Sequence, residues 1–146
     1  MTRFSNEALT QQIVACTPDG VIFADRDGVI RFWNAGAEAL FGYSAQEAVG
    51  QPLALIIPER LRPRHDEGYR RVMQTAATKY SARQLLSVPA MRKDGGRISV
   101  ESSIALLADP NGGLLGVAAV MRDVTDRWRK EKEMTERLAA LEGRSK

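Results

Sequence analysis

The sequence predicts an α+β domain built on a five-stranded antiparallel sheet, with short helices over one face and a flanking helix at either end. Three observations carry that expectation. Two short β-branched and aromatic runs, 20–25 and 28–33, are separated only by Arg26-Asp27. Three strand-like runs, 79–92, 97–108 and 114–123, are joined by Lys93-Asp94-Gly95-Gly96 and Asp109-Pro110-Asn111-Gly112-Gly113, both strong turn signals. Between these two groups the apolar residues follow helical spacing.

At 146 residues the chain has room for one domain with a core of its own. Apolar residues make up 44% and charged residues 27%, which excludes a wholly disordered or collagen-like chain. The 21 basic and 18 acidic residues are interleaved, so no basic stripe for nucleic acid stands out. No apolar run reaches membrane-spanning length, and Met1-Thr2-Arg3-Phe4-Ser5 is not followed by the apolar stretch of a signal peptide, so neither membrane insertion nor export is expected. The single cysteine, Cys16, allows no internal disulfide and suits a cytoplasmic, reducing location, with a small buried side chain expected there.

Taken in order, 6–15 reads as a helix capped by Ser5 or Asn6, with Leu9, Ile13 and Cys16 on one stripe, stopped by Thr17-Pro18-Asp19-Gly20. The hairpin follows, its second strand alternating so that one face enters the core. Residues 35–43 give a short helix ended by Gly42, and Ser44-Ala45-Gln46-Glu47 gives a capping box for another. Pro58-Glu59 opens a longer helix running to about Thr75, locally weakened by Pro63 and Gly68. After the three strands, 125–141 is a charged amphipathic helix on which Trp128, Glu131, Met134, Leu138 and Leu141 approximate one seam.

Four strings in this order make a resemblance specific: Pro18-Asp19-Gly20-Val21; Phe32-Trp33-Asn34-Ala35-Gly36-Ala37-Glu38 with Phe41-Gly42-Tyr43; Arg92-Lys93-Asp94-Gly95; and Arg122-Asp123-Val124-Thr125-Asp126-Arg127. The chain resembles the PAS sensor family over residues 13–127. The resemblance implies a PAS core at 18–124, an N-terminal flanking helix at 1–17 and a C-terminal signalling helix at 125–146. It further implies a pocket between sheet and long helix, with Phe41, Leu55, Tyr69, Leu86 and Ile104 as lining. Output is expected through Asp123, Thr125 and Trp128, where a capping pair joins the last strand to the exit helix. A homodimer and a downstream histidine kinase or regulator are the partners it implies.

The string Ile56 to His65 is similar to the corresponding helix of bacterial haem-binding PAS domains, in which a histidine ligates the iron. By that resemblance His65 is the candidate haem b ligand, with Arg60, Arg62 or Arg64 meeting the propionates. Oxygen-sensing members carry an arginine where this chain has Leu86, with Arg83 three residues earlier, so an apolar distal side would favour carbon monoxide, nitric oxide or redox sensing. The Asn-Cys-Arg-Phe string of flavin photosensors is absent, which leaves only non-covalent flavin. One His, one Cys and no phosphate loop assemble no catalytic set, and an enzyme is not expected. The other function class is a ligand-free interaction module that uses Leu9, Ile13, Trp33 and Trp128 as contact groups.

Overall fold

The computed structural model describes residues 3–77 and 84–144. Helix α1, Asn6–Cys16, begins at Ser5, whose hydroxyl accepts the Ala8 amide at 3.1 Å. None of its residues is buried, and Cys16 is exposed, contrary to the expectation of a core cysteine. The stripe of Leu9, Ile13 and Cys16 therefore does not enter the core: Ile13 is 66% exposed.

Strands β1, Gly20–Asp25, and β2, Ile30–Trp33, form the first hairpin. The second strand starts later than the apolar run predicts because Gly28, at φ 77°, completes the turn and Val29 bridges to Pro52 instead. Simple alternation fails here as well: Ile30 and Trp33 are buried while Arg31 and Phe32 are exposed, because the register shifts between Phe23 and Ala24. Helix α2, Ala35–Phe41, ends in left-handed Gly42 at φ 83°. Helix α3, Ala45–Ala48, has the full capping box, with Ser44 and Glu47 each bonding the other's amide.

Two 3-10 turns, Leu53–Ile56 and Glu59–Leu61, then lead into α4, Arg62–Thr75. Pro63 sits within the first turn of α4, where its missing N–H costs nothing, so the helix starts later than Pro58 and runs on to Thr75. Strands β3, Leu86–Met91, β4, Arg97–Ala108, and β5, Leu114–Asp123, complete the sheet. The first part of the strand-like run 79–92, residues 79–83 including Arg83, lies outside the described residues.

All neighbours in the sheet are antiparallel, in the order β2-β1-β5-β4-β3, so the last strand occupies the middle. Ile22 pairs with Ala119 and Ala119 with Ile104, and their face meets the helices. There Ile22, Ile98, Val100 and Ala119 join Ile30, Trp33, Leu40, Phe41 and Ile56 in one core. Trp33 is buried, with its indole N–H donating to the Tyr43 carbonyl at 3.0 Å, so it is a core side chain and no surface contact group. From β5 the chain turns directly into α5, Thr125–Arg144, along which Trp128, Met134, Leu138 and Leu141 are exposed.

Candidate functional site

Two regions at opposite ends of the β1–β5 pair hold the polar side chains of interest. The first is a cleft of about 510 Å³ between α4 and the β1–β2 turn. Arg26, Asp27 and Gly28 form the turn side, and Pro52, Leu53 and Ala54 of the first 3-10 turn form a second, apolar side. The third side is a single face of α4, with His65, Tyr69 and Met73 at i, i+4 spacing and Asp66, Arg70 and Gln74 beside them.

Tyr69 ties this helix to the sheet. Its phenol O–H lies 2.5 Å from the Asp25 carbonyl oxygen and 3.1 Å from that of Ala24, at the last two residues of β1. Burial, then the carboxylates of Asp25 and Asp27, push the phenol up to about 12. Asp25 shapes the turn from the other side. Burial pushes its carboxyl up, but the Arg31 bond and the amides of Val29 and Asp27 outweigh that effect and hold it below the usual carboxylate range.

His65 lies on the same wall, with its side chain 30% exposed and its ring 6.1 Å from that of Tyr69. Its Nδ1 is buried without a hydrogen-bond partner, although the Asp66 carboxylate stands 3.5 Å away. A buried, unpaired imidazole nitrogen is a group that a ligand could satisfy. The three arginines nearest in sequence do not face it: Arg62 donates to the Ile57 carbonyl at 3.0 Å, Arg60 and Arg64 are exposed, and none lines the cleft.

The remaining pocket residues inferred from the sequence are dispersed. Phe41 is fully buried, its ring 5.3 Å from Trp33, and belongs to the core. Leu55 and Ile104 pack half-buried against that core, and Leu86 is half-buried on the edge strand β3. Of the five, only Tyr69 lines the cleft. Arg26, Asp27, Arg70 and Met73 were not singled out from the sequence, although Met73 continues the i, i+4 series of His65 and Tyr69.

The second region is the junction where both flanking helices meet the sheet. The Asp123 carboxylate accepts the Thr125 amide at 2.8 Å and its hydroxyl at 2.5 Å, and the Thr125 hydroxyl accepts the Ser99 amide of β4 at 3.0 Å. The first turn of α5 is thus bonded to two strands at once. Trp128 follows one turn later, half exposed beneath the Lys132 ammonium, while Arg127 pairs with Glu101 of β4.

A central last strand, helices over one face and a helix leaving directly from that strand define a small α+β module. The chain belongs to the PAS fold family, whose model matches residues 15–129. It is 29% identical over 132 residues to sensor protein FixL of Bradyrhizobium diazoefficiens, covering 90% of this chain and 26% of that protein. It is 28% identical over 137 residues to the signal transduction histidine-protein kinase AtoS of Escherichia coli, covering 91% of this chain and 21% of that protein. The chain therefore spans about a quarter of the length of these curated relatives. In shape it is similar to the PAS domain of a protein from Colwellia psychrerythraea, with a TM-score of 0.68 and 23% identity over 81% of this chain and 98% of that one. Among the described residues no helix is long and apolar enough to cross a membrane.

Proposed function

We propose that residues 18–124 form a sensory core whose cleft at His65 and Tyr69 takes a small ligand, and that residues 125–146 carry the response to a partner. The observation behind this reading is the Tyr69 phenol, which bonds the end of β1 from the wall of the cleft. A ligand that shifts α4 shifts Tyr69 and so loads β1, which pairs along its whole length with the central strand feeding α5. The partner class is a histidine kinase or regulator, in keeping with the sensor and kinase names of the relatives. A homodimer is supported by exposed apolar side chains on the outer sheet face, Phe32 and Val120, and on α5. Native mass spectrometry and an absorption spectrum of the purified protein test the reading. We expect a retained small molecule that is lost in His65→Ala; a dimer with no added mass would favour a ligand-free interaction module.

A second reading, a haem-based gas or redox sensor, is favoured by the unpaired His65 nitrogen facing burial beside Asp66. The donor set fits: the other ring nitrogen of His65 would hold the iron, Nδ1–H would be left to bond Asp66 and orient the imidazole, and Arg26 and Arg70 on the cleft would meet the propionates. Bound haem would supply an iron site for a diatomic gas or an electron. The discriminating result is a Soret band that disappears in His65→Ala.

A further inference from the structure

The cleft lies at one end of the β1–β5 pair, and a different connection spans the other end, six residues and about 20 Å away. There the Arg122 guanidinium grips both oxygens of the Asp19 carboxylate, Nε to Oδ1 at 3.2 Å and Nη2 to Oδ2 at 3.1 Å. Asp19 stands three residues after α1 ends, and Arg122 three residues before α5 begins.

Each partner adjoins the bonds that hold the end of its own helix: Asn34 bridges the end of α1 to the Asp19 carbonyl, and Asp123, next in the chain after Arg122, caps α5. On the α1 side, the Asn34 amide donates to the carbonyls of both Val14 and Asp19, at 2.8 and 3.1 Å, and the Asp19 amide donates to the Thr17 hydroxyl. On the α5 side, Asp123 holds the Thr125 amide and hydroxyl. The only side-chain ion pair joining these two assemblies is Asp19–Arg122 among the described residues, and its arginine is largely exposed, so the link can open and reclose at little cost.

We propose that α1 is a second input to this domain, and that the Asp19–Arg122 pair transmits displacement of α1 to the first turn of α5 without involving the cleft. The domain then integrates two signals on one exit helix. A ligand acts through Tyr69 and the far end of β1; a partner that grips or bends α1 acts through Asp19.

Amide hydrogen exchange at Trp128, whose N–H bonds the Val124 carbonyl at 2.9 Å in the first turn of α5, reads the transmission. Gln12→Pro breaks α1 at an exposed position, and we expect it to change Trp128 exchange about two- to five-fold in the otherwise native chain. The same substitution should change nothing further when Arg122→Gln is present. It should regain its effect when Asp19→Arg and Arg122→Asp restore the pair with reversed charge. Gln12→Gly, a milder weakening of α1, should give the same pattern at smaller amplitude and guards against a proline that disturbs the core. The proposal is overturned if Trp128 does not respond to either α1 variant, or responds equally with and without Arg122, since the route would then be the backbone of β1 and β5. A ligand lost from the cleft in His65→Ala, with the α1 response intact, would separate the two inputs.

Discussion

The Asn34 side-chain amide closes the C-terminal end of α1, its Nδ2 lying 2.8 Å from the Val14 carbonyl oxygen. That carbonyl is one of the four that a helix end leaves without an internal partner. The same side chain caps the start of α2, since its Oδ1 accepts the Ala37 amide at 2.9 Å and the Val21 amide at 2.7 Å. One buried residue therefore joins α1, β1 and α2. Asn34→Ala strands two amides and two carbonyls, and should destabilise the fold by about 2–4 kcal/mol in denaturant titration. Asn34→Asp should not rescue it, because a carboxylate would face the Val14 and Asp19 carbonyl oxygens.

Gly36 tests the same corner from the backbone. Alanine ordinarily strengthens a helix relative to glycine by about 1 kcal/mol. A Cβ at position 36, however, would lie 2.0 Å from the Asp19 carbonyl oxygen, a backbone atom that cannot swing away. Gly36→Ala should therefore destabilise the protein by about 2 kcal/mol or more and reduce the Asn34 contact with Asp19, measured by thermal melting and by the Asn34 side-chain amide shifts.

The corner was legible in the sequence as the string Phe32 to Glu38, with Asn34 at a strand-to-helix turn; the need for Gly36 was not, because it is set by the Asp19 carbonyl from a different part of the chain. The strand order and the exit helix follow from the same kind of signal, repeated in a recognisable order. The cleft was less legible. Its walls come from a turn, a 3-10 segment and a helix that are separated in sequence by tens of residues, and only the His65–Tyr69 spacing lies within one element. Phe41 reads as a pocket aromatic by type, yet it faces Trp33 because the bulge at Arg31, opposite Phe23 and Ala24, puts Ile30 and Trp33 on the same side. Cys16 reads as core by type, yet α1 lies outside the core and leaves it exposed.

Tyr69 gives a pH prediction with a definite sign. The folded chain holds its phenol near 12, against about 10 for the unfolded chain, so above pH 10 the unfolded state releases a proton that the folded state keeps. Stability from this group is complete below pH 10 and falls as pH rises from 10 towards 12. Ultraviolet titration should show one phenol ionising last, and Tyr69→Phe should remove that late step and flatten the alkaline decline. At neutral pH the same variant should cost about 1–2 kcal/mol through the lost bond to Asp25 and should loosen α4, seen as faster exchange of its amides.

The junction at Asp123 ties the first turn of α5 to the sheet. Its carboxylate accepts the Thr125 amide, one of the helix's unpartnered first-turn donors, and orients the Thr125 hydroxyl, which in turn accepts the Ser99 amide. Asp123→Ala removes the cap and frees that hydroxyl to rotate; Thr125→Val keeps the backbone bond but removes the hydroxyl that accepts the Ser99 amide, leaving the Val124 amide on the Ser99 carbonyl as the adjacent tie to β4. Because α5 buries little apolar surface beyond Val124, the first turn depends on these bonds more than on packing. Both variants should lower overall stability by only about 1 kcal/mol. Both should also speed amide exchange over 124–129 and increase quenching of Trp128 fluorescence by iodide, leaving the buried Trp33 unaffected. The two should differ in one respect: Asp123→Ala frays the helix itself, whereas Thr125→Val leaves it formed but free to pivot against β4. Circular dichroism should therefore report helix loss in the first and none in the second. If Thr125→Val leaves Trp128 quenching unchanged, the Ser99 bond does not restrain the helix and its footing lies with Arg127 and Glu101 instead.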